Sequence, residues 1–183
     1  MLIAFSGLQG SGKDTAAEIL INEHGYHKVA FADALRELVL DIDPVGDVDG
    51  GVYYRISDLV KDFGWDTAKR RFPEIRRLLQ RTGAEGIRNL FGEDAWIKVL
   101  YNRFPDLFSP TTRYVLTDCR FPNEAKFIKD NGGTICWIER PGIVSDGHAS
   151  ESTAMRDVVD VIIVNDSNIS ALTNKVTQLL TGR

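Results

Sequence analysis

Gly7-Leu8-Gln9-Gly10-Ser11-Gly12-Lys13-Asp14-Thr15 decides the fold. Gly7 and Gly12, followed at once by Lys13, have the spacing of a loop that wraps phosphate with backbone N–H groups. The run Leu2 to Ser6 before it is short and apolar and reads as a strand. Lys13 to Glu23 after it reads as a helix. Strand, glycine loop and helix in that order place an anion at the positive end of a helix dipole, within reach of the lysine. The expected phosphate ligands are Gly7, Gly10, Ser11, Gly12 and Lys13, with Lys13 on the β- and γ-phosphates. One position departs from the pattern. Ser or Thr, which would hold magnesium, is expected directly after the lysine. Asp14 stands there, and Thr15 comes one residue later. Either can serve the metal, since carboxylate and hydroxyl oxygens both suit Mg2+. Asp14 also reads as an acid favoured in a helix's first turn.

Outward from the loop, strand-like and helix-like runs alternate. Val29–Ala32 reads as a second strand and Ala34–Leu40 as a helix. Residues 41–56 are rich in Gly, Asp and Pro and read as a loop. Ser57–Phe104 reads as helical, broken near Gly64, Pro73 and Gly92. Tyr114–Thr117, Thr134–Glu139 and Val161–Val164 read as strands, Pro122–Asp130 and Ile169–Leu180 as helices. Such alternation predicts an α/β fold with a parallel sheet of about five strands, helices on both faces and a helical insert. We expect one domain over 1–183, with the insert at 41–112 and a lid-like loop at 140–151.

Composition narrows the partners. The net charge of -4 argues against a nucleic-acid polymer as ligand. Cys119 and Cys136 lie in apolar runs and read as reduced core residues. No apolar run reaches the roughly 18 residues needed to cross a membrane, and the start MLIAFSG lacks the basic flank of a signal peptide. A cytoplasmic location follows. No Asn-Lys-x-Asp segment is present to read guanine; the nearest string, VNDSN, lacks the lysine.

Two further clusters carry charge. In YVLTDCRFPNE (residues 114–124) an apolar strand runs into Asp118 and Arg120, at the sheet edge where ligands of open parallel sheets bind. Asp118 could order magnesium through water and Arg120 could grip a phosphate; a helix-capping aspartate beside a surface arginine is the plainer reading. In IRRLLQRTGAEGIRNLF (residues 75–91), 100° per residue puts Ile75, Leu79, Thr82, Gly86 and Leu90 on one face and Arg77, Arg81 and Arg88 opposite. A solvated stripe is the ordinary explanation. Gly83 and Gly86 beside it suggest close backbone approach, which makes Arg81 and Arg88 candidates for a second anionic group. Arg140 opens the polar loop after the fourth strand, where it could close over a transferring phosphoryl group. His148 reads as structural, with Ser150 as a cap. Trp65, Trp96 and Trp137 read as core; Tyr53 and Tyr54 stay open.

GLQGSGKDT, FADALRE, LLQRTGAEGIRNLFGEDAWI, LTDCRFPNEA, HASE and IIVNDS occur in this order and span most of the chain. Together they resemble the phage deoxynucleoside monophosphate kinases of the P-loop kinase superfamily. The resemblance implies a three-layer P-loop kinase fold and transfer of the γ-phosphoryl of ATP to a deoxynucleoside monophosphate, with Mg2+. By it, ATP lies on Gly7–Thr15, with Asn165–Ser167 near the adenine. Asp33 and Arg36 border the monophosphate, and Gln80, Arg81, Glu85 and Arg88 of the insert form its cover. Arg120 contacts substrate phosphate and Arg140 acts from the lid, so Lys13, Arg120 and Arg140 are the expected catalytic set. Asp14, Thr15 and Asp118 are the expected metal set. A homodimer is left open, and host cytoplasm is implied for a phage-encoded chain. Where relatives often read Gly-Thr-Glu, this chain has Gly83-Ala84-Glu85, so a substrate-facing hydroxyl is missing. Two rivals stand beside this reading: a kinase for another small substrate such as dephospho-coenzyme A, and an ATP-sensing module without turnover. The four arginines Arg81, Arg88, Arg120 and Arg140 speak against the sensor, which needs no second phosphate site.

Overall fold

The computed structural model describes residues 1–47, 51–144 and 153–181. The chain divides into two compact units, Met1–Phe31 with Leu100–Arg183, and Ala32–Val99.

The first unit is built on a five-stranded sheet. Its strands are β1 (Leu2–Ser6), β2 (His27–Val29), β5 (Tyr114–Leu116), β6 (Thr134–Glu139) and β7 (Val161–Val164). The order is β2-β5-β1-β6-β7, with every pairing parallel. Helices cover both sides, as parallel crossovers require. All five residues of β1 are buried, which explains why this central strand is an unbroken apolar run rather than an alternating one. Helix α1 (Lys13–His24) and α8 (Ile169–Thr181) pack together. Their Ala16, Ala17, Leu20, Leu172 and Val176 share a core with Ile3, Phe5, Val115 and Ile138. Helix α7 (Pro122–Asp130) packs on β6 and carries Pro at its first turn, where the missing N–H costs nothing. Both cysteines are buried and free. Trp137 is buried, as expected for core.

The second unit contains most of α2 (Phe31–Ile42), a hairpin of β3 (Val45–Asp47) and β4 (Tyr53–Arg55), α3 (Ile56–Arg71) and α4 (Pro73–Gln80). A π-helical segment (Arg81–Arg88), α5 (Asn89–Phe91) and most of α6 (Ala95–Arg103) follow. Val39, Ile56, Leu59, Ala68 and Ile75 form its core, with Leu35, Phe63, Trp65 and Phe72 packed around them. The expected breaks fall as read. Gly64 kinks α3 at φ 69°, Pro73 opens α4, and Gly92 ends α5 at φ 94°. Trp96 is buried.

Three expectations need correction. Residues 41–56 are not simply a loop. Helix α2 runs on to Ile42, and the β3–β4 hairpin fills much of the rest. The Asp-rich turn between α2 and β3 is structural: Asp43 (φ 45°) accepts the Ser57 N–H at 2.9 Å and pairs with Arg55 at 3.5 Å. Those contacts hold its carboxyl below the usual carboxylate range, the Ser57 N–H contributing most. Second, the strand expected at Val29–Ala32 lies at His27–Val29, and Phe31 already begins α2. Third, the helical face drawn at 100° per residue fails past Gln80. Leu90, assigned to the face of buried Ile75, is 78% exposed, because the π-helical segment changes the phase. Most of the lid-like loop, with His148 and Ser150, lies outside the described residues.

Candidate active site

The glycine loop joins β1 to α1, and three of its glycines have positive φ: Gly7 (140°), Gly10 (78°) and Gly12 (105°). Two of them are also pinned by neighbours. A Cβ on Gly7 would lie 2.4 Å from the Ile138 carbonyl oxygen of β6. One on Gly12 would lie 2.5 Å from Nδ2 of Asn165. Glycine is thus required both for conformation and for space. The Ser11 N–H donates to the Leu8 carbonyl at 3.2 Å, closing the loop's turn.

Lys13 folds back on this loop. Its Nζ donates to the carbonyls of Gly7 (2.8 Å) and Leu8 (2.7 Å). The Ser11 hydroxyl is buried and has no hydrogen-bond partner among the described residues. A buried orphan hydroxyl carries a desolvation cost, and a phosphate oxygen would satisfy it. Ser11, Lys13, the wrapped backbone and the first turn of α1 are therefore the donor set an anionic phosphate group needs.

Asn165, just past β7, braces the loop from the side. Its amide donates to the Ser11 carbonyl at 2.9 Å, and its own N–H donates to the Glu139 carbonyl at 2.7 Å. Resemblance alone put this residue near adenine; in the structure its side chain supports the phosphate loop.

The sheet order sets the charged residues around the loop. β5 and β6 flank β1, so Asp118 and Arg120 after β5, and Arg140 after β6, stand at the same carboxyl edge. Asp118 is half-buried, and its Oδ1 accepts the Phe31 N–H at 2.9 Å, capping α2. Arg120 and Arg140 are exposed. Asp14 is 75% exposed and sits 3.4 Å from Lys28; Thr15 is half-buried. Among the described residues, no group of three His, Cys, Asp or Glu side chains could hold a metal by itself.

Sequence reasoning passed over Glu124. This carboxylate is 3% exposed and accepts the N–H groups of Arg120 (2.7 Å) and Phe121 (3.0 Å). It fixes the turn that carries Arg120. The signal was present in Phe-Pro-Asn-Glu, an acid at the third helical position. Beside it Cys119 is deeply buried; burial first, then the Glu124 and Asp118 charges, push its thiol well above the usual value. A buried thiol held protonated is a poor nucleophile.

The remaining expected residues all lie in the Ala32–Val99 unit. Asp33 and Arg36 pair on α2 at 3.2 Å. Arg81 and Glu85 pair at 3.6 Å on an exposed face. Gln80 and Arg88 are half-buried. The close approach inferred at Gly83 is to the fold itself: a Cβ there would lie 2.7 Å from Cδ2 of Leu35.

A parallel sheet whose central strand opens into a glycine loop and lysine at a helix N-terminus defines a P-loop kinase fold. Solved structures share it. Dephospho-CoA kinase from Campylobacter jejuni superposes with TM-score 0.53 at 12% identity, covering 98% of this chain and 95% of that one. Shikimate kinase from Aquifex aeolicus does so with TM-score 0.50 at 15% identity, covering 100% and 97%. Residues 52–176 match the family described as deoxynucleotide monophosphate kinase, and the chain belongs to that family. A protein of Acanthamoeba polyphaga mimivirus is 29% identical over 187 residues, 92% of this chain and 90% of its own length. The deoxynucleotide monophosphate kinase of Escherichia phage RB69 is 32% identical over 108 residues, 58% of this chain. That match spans only 44% of the phage protein.

Proposed function

We infer that this chain transfers the γ-phosphoryl group of ATP to a deoxynucleoside monophosphate, giving the diphosphate and ADP. The observation that carries the reading is the phosphate loop, with its orphan Ser11 hydroxyl and its Lys13 amine resting on the loop's own carbonyls, in a chain of this family. When ATP binds, Lys13 exchanges the Gly7 and Leu8 carbonyls for β- and γ-phosphate oxygens. The exchange favours phosphate, because a charged acceptor makes the stronger hydrogen bond. Backbone N–H groups and the α1 dipole hold the β-phosphate. Arg120 and Arg140 neutralise charge as it spreads over the moving phosphoryl group. Thr15, Asp118 or Asp14 would hold magnesium, which would supply further neutralisation of phosphate charge. Asp33, Arg36, Gln80, Arg81, Glu85 and Arg88 take the acceptor. Phosphoryl transfer of this kind is mainly positioning and electrostatics, so no histidine base is required. Among the described residues no helix is long and apolar enough to cross a membrane, and the viral relatives favour host cytoplasm as the place of action.

The test is ADP release with each of the four deoxynucleoside monophosphates and with dephospho-coenzyme A. Turnover is expected with at least one monophosphate and not with dephospho-coenzyme A. It should fall by orders of magnitude in Lys13→Ala while the fold survives. Turnover only with dephospho-coenzyme A, or ATP binding with no turnover at all, would replace this reading with one of its rivals.

A further inference from the structure

Each positive-φ glycine of the phosphate loop has a close neighbour from outside the loop. For Gly7 it is the Ile138 carbonyl of β6, and for Gly12 the Asn165 amide. For Gly10 it is Ile143. The Ile143 Cδ1 lies 3.7 Å from the point where a Cβ on Gly10 would stand, an ordinary van der Waals distance. Apart from Gln9 and Ser11, no other described residue comes within 4 Å of that point. Ile143 is half-buried, whereas Val144 beside it is 84% exposed. The apolar contact therefore belongs to Ile143 in particular.

A tight turn brings Ile143 there. β6 ends at Glu139, and Arg140-Pro141-Gly142-Ile143 bends the chain back. The Pro141 ring fixes its φ near about −65°. Gly142 has φ 83°, and the Ile143 N–H donates to the Arg140 carbonyl at 3.3 Å. Proline second, positive φ third and a hydrogen bond from fourth residue to first are the marks of a type II turn. Nothing stands within 4 Å of a Cβ built on Gly142, so glycine is there for its conformation and not for space. Both central residues are thus restricted, one by its ring and one by its φ. Ile138 before the turn and Ile143 at its end both meet the phosphate loop, and Arg140 lies between them in the chain.

We propose that Ile143 is a positioning residue for Arg140: seated on Gly10, it fixes the turn against the phosphate loop and so fixes the backbone that carries Arg140. This rests on the functional reading above, in which Arg140 neutralises charge on the moving phosphoryl group. Ile143 carries no charge of its own and acts through where the turn stands. A group displaced by about 1 Å can cost up to about a hundred-fold in rate, so one apolar contact bears more on rate than on stability.

Two variants release the turn by different atoms. Ile143→Ala removes the side chain that rests on Gly10. Gly142→Ala keeps that side chain and strains the turn, because an L residue is disfavoured at this φ, and it meets no clash. Phosphoryl transfer in a single turnover, with ATP and a deoxynucleoside monophosphate both saturating, should slow about ten- to a hundred-fold in each. ATP affinity by titration calorimetry should not change. Ile143→Leu, similar in volume and apolar, should restore most of the rate. Because Ile143 acts through Arg140, Ile143→Ala should add nothing to the loss already caused by Arg140→Ala, an outcome that general loosening would not give. Without nucleotide, amide exchange should quicken at residues 142–144 in Ile143→Ala and stay unchanged at residues 7–13, which keep the Ile138 and Asn165 contacts. Losses that multiply with Arg140→Ala, or unchanged exchange at 142–144, would each overturn the proposal. So would a fall in ATP affinity as large as the fall in rate. A gain in ATP affinity would overturn it too, by making Ile143 a plug in the phosphate site. Failure of the functional reading is seen on the wild type instead. No turnover there with any of the four monophosphates overturns both, whereas normal wild-type turnover that Ile143→Ala leaves unslowed overturns the role of Ile143 alone.

Discussion

Gly12→Ala separates the two reasons why the phosphate loop requires glycine. The first is conformation: at φ 105° an L side chain is strained, at a cost of roughly 1–2 kcal/mol. The second is space. The new methyl would lie 2.5 Å from Nδ2 of Asn165, so that side chain must swing away and lose its 2.9 Å bond to the Ser11 carbonyl. Such a bond contributes about 0.5–1.5 kcal/mol net. The single substitution should therefore cost about 1.5–3.5 kcal/mol. In an Asn165→Ala background the bond is already gone and the space is open. There Gly12→Ala should cost only the conformational part, leaving a coupling of about 0.5–1.5 kcal/mol in the double-mutant cycle. Native-state amide exchange at β1 and β6 measures the opening free energy of the unit that contains both residues, independently of how the Ala32–Val99 unit unfolds. Costs that simply add, to within about 0.3 kcal/mol, would refute the bracing role of Asn165.

Two other outcomes follow from the site and its surroundings. Asp118→Asn keeps an oxygen to accept the Phe31 N–H, so the fold should hold. If the lost charge orders magnesium, half-maximal rate should need several-fold more of it. Asp14→Asn, at an exposed residue already beside Lys28, should shift that requirement less, and the reverse ranking would make Asp14 the principal metal residue. At the start of β5, hydroxyls of Thr112 and then Tyr114, both at 2.9 Å, hold the Asp106 carboxyl below its ordinary value of 3.8. A carboxyl depressed by folding stabilises above its unfolded pKa, and that stability is lost as pH falls through the folded value. The gap in urea midpoint between wild type and Asp106→Asn should thus be constant at neutral pH and narrow below about pH 4; a gap that persists into acid would disprove the linkage.

What could be read from the residues was whatever leaves a local mark. The glycine loop shows because its positive-φ, closely approached backbone strongly favours glycine, and the apolar run Leu2–Ser6 shows because a doubly covered parallel strand has no polar face. Strand β2 was misplaced because His27 and Lys28 are exposed at the sheet's edge, so burial wrote no pattern there. The end of that strand is also set from afar, by Asp118 receiving the Phe31 N–H. The β3–β4 hairpin escaped because its strands are three residues each and Tyr53 and Tyr54 point to solvent. The π-helical segment escaped for a different reason: a fixed period of 100° has no means of showing one extra residue in a turn. The arginines were legible as residues, but their faces were not.

The two phosphate-binding devices of the proposed function answer different demands. On the proposed function ATP's phosphates would be held by backbone whose shape is fixed from outside, through the Ile138 carbonyl behind Gly7 and the Asn165 amide behind Gly12. Little rearrangement beyond the Lys13 amine is then needed at the moment of binding. On the proposed function the acceptor side would rely on long side chains instead, and two of the arginines proposed there keep an acid of their own nearby: Arg36 beside Asp33, Arg81 beside Glu85. Pairs this exposed contribute only about 0–1 kcal/mol. They restrain a guanidinium without committing it. A phosphate monoester brings up to two negative charges and a planar edge that suits the guanidinium fork. It can displace a single carboxylate, whereas an uncharged nucleoside cannot. An arginine already restrained by its acid has less rotamer freedom left to lose when phosphate replaces the carboxylate. On this argument the exposed ion pairs matter less for stability than for making the acceptor's charge a condition of binding.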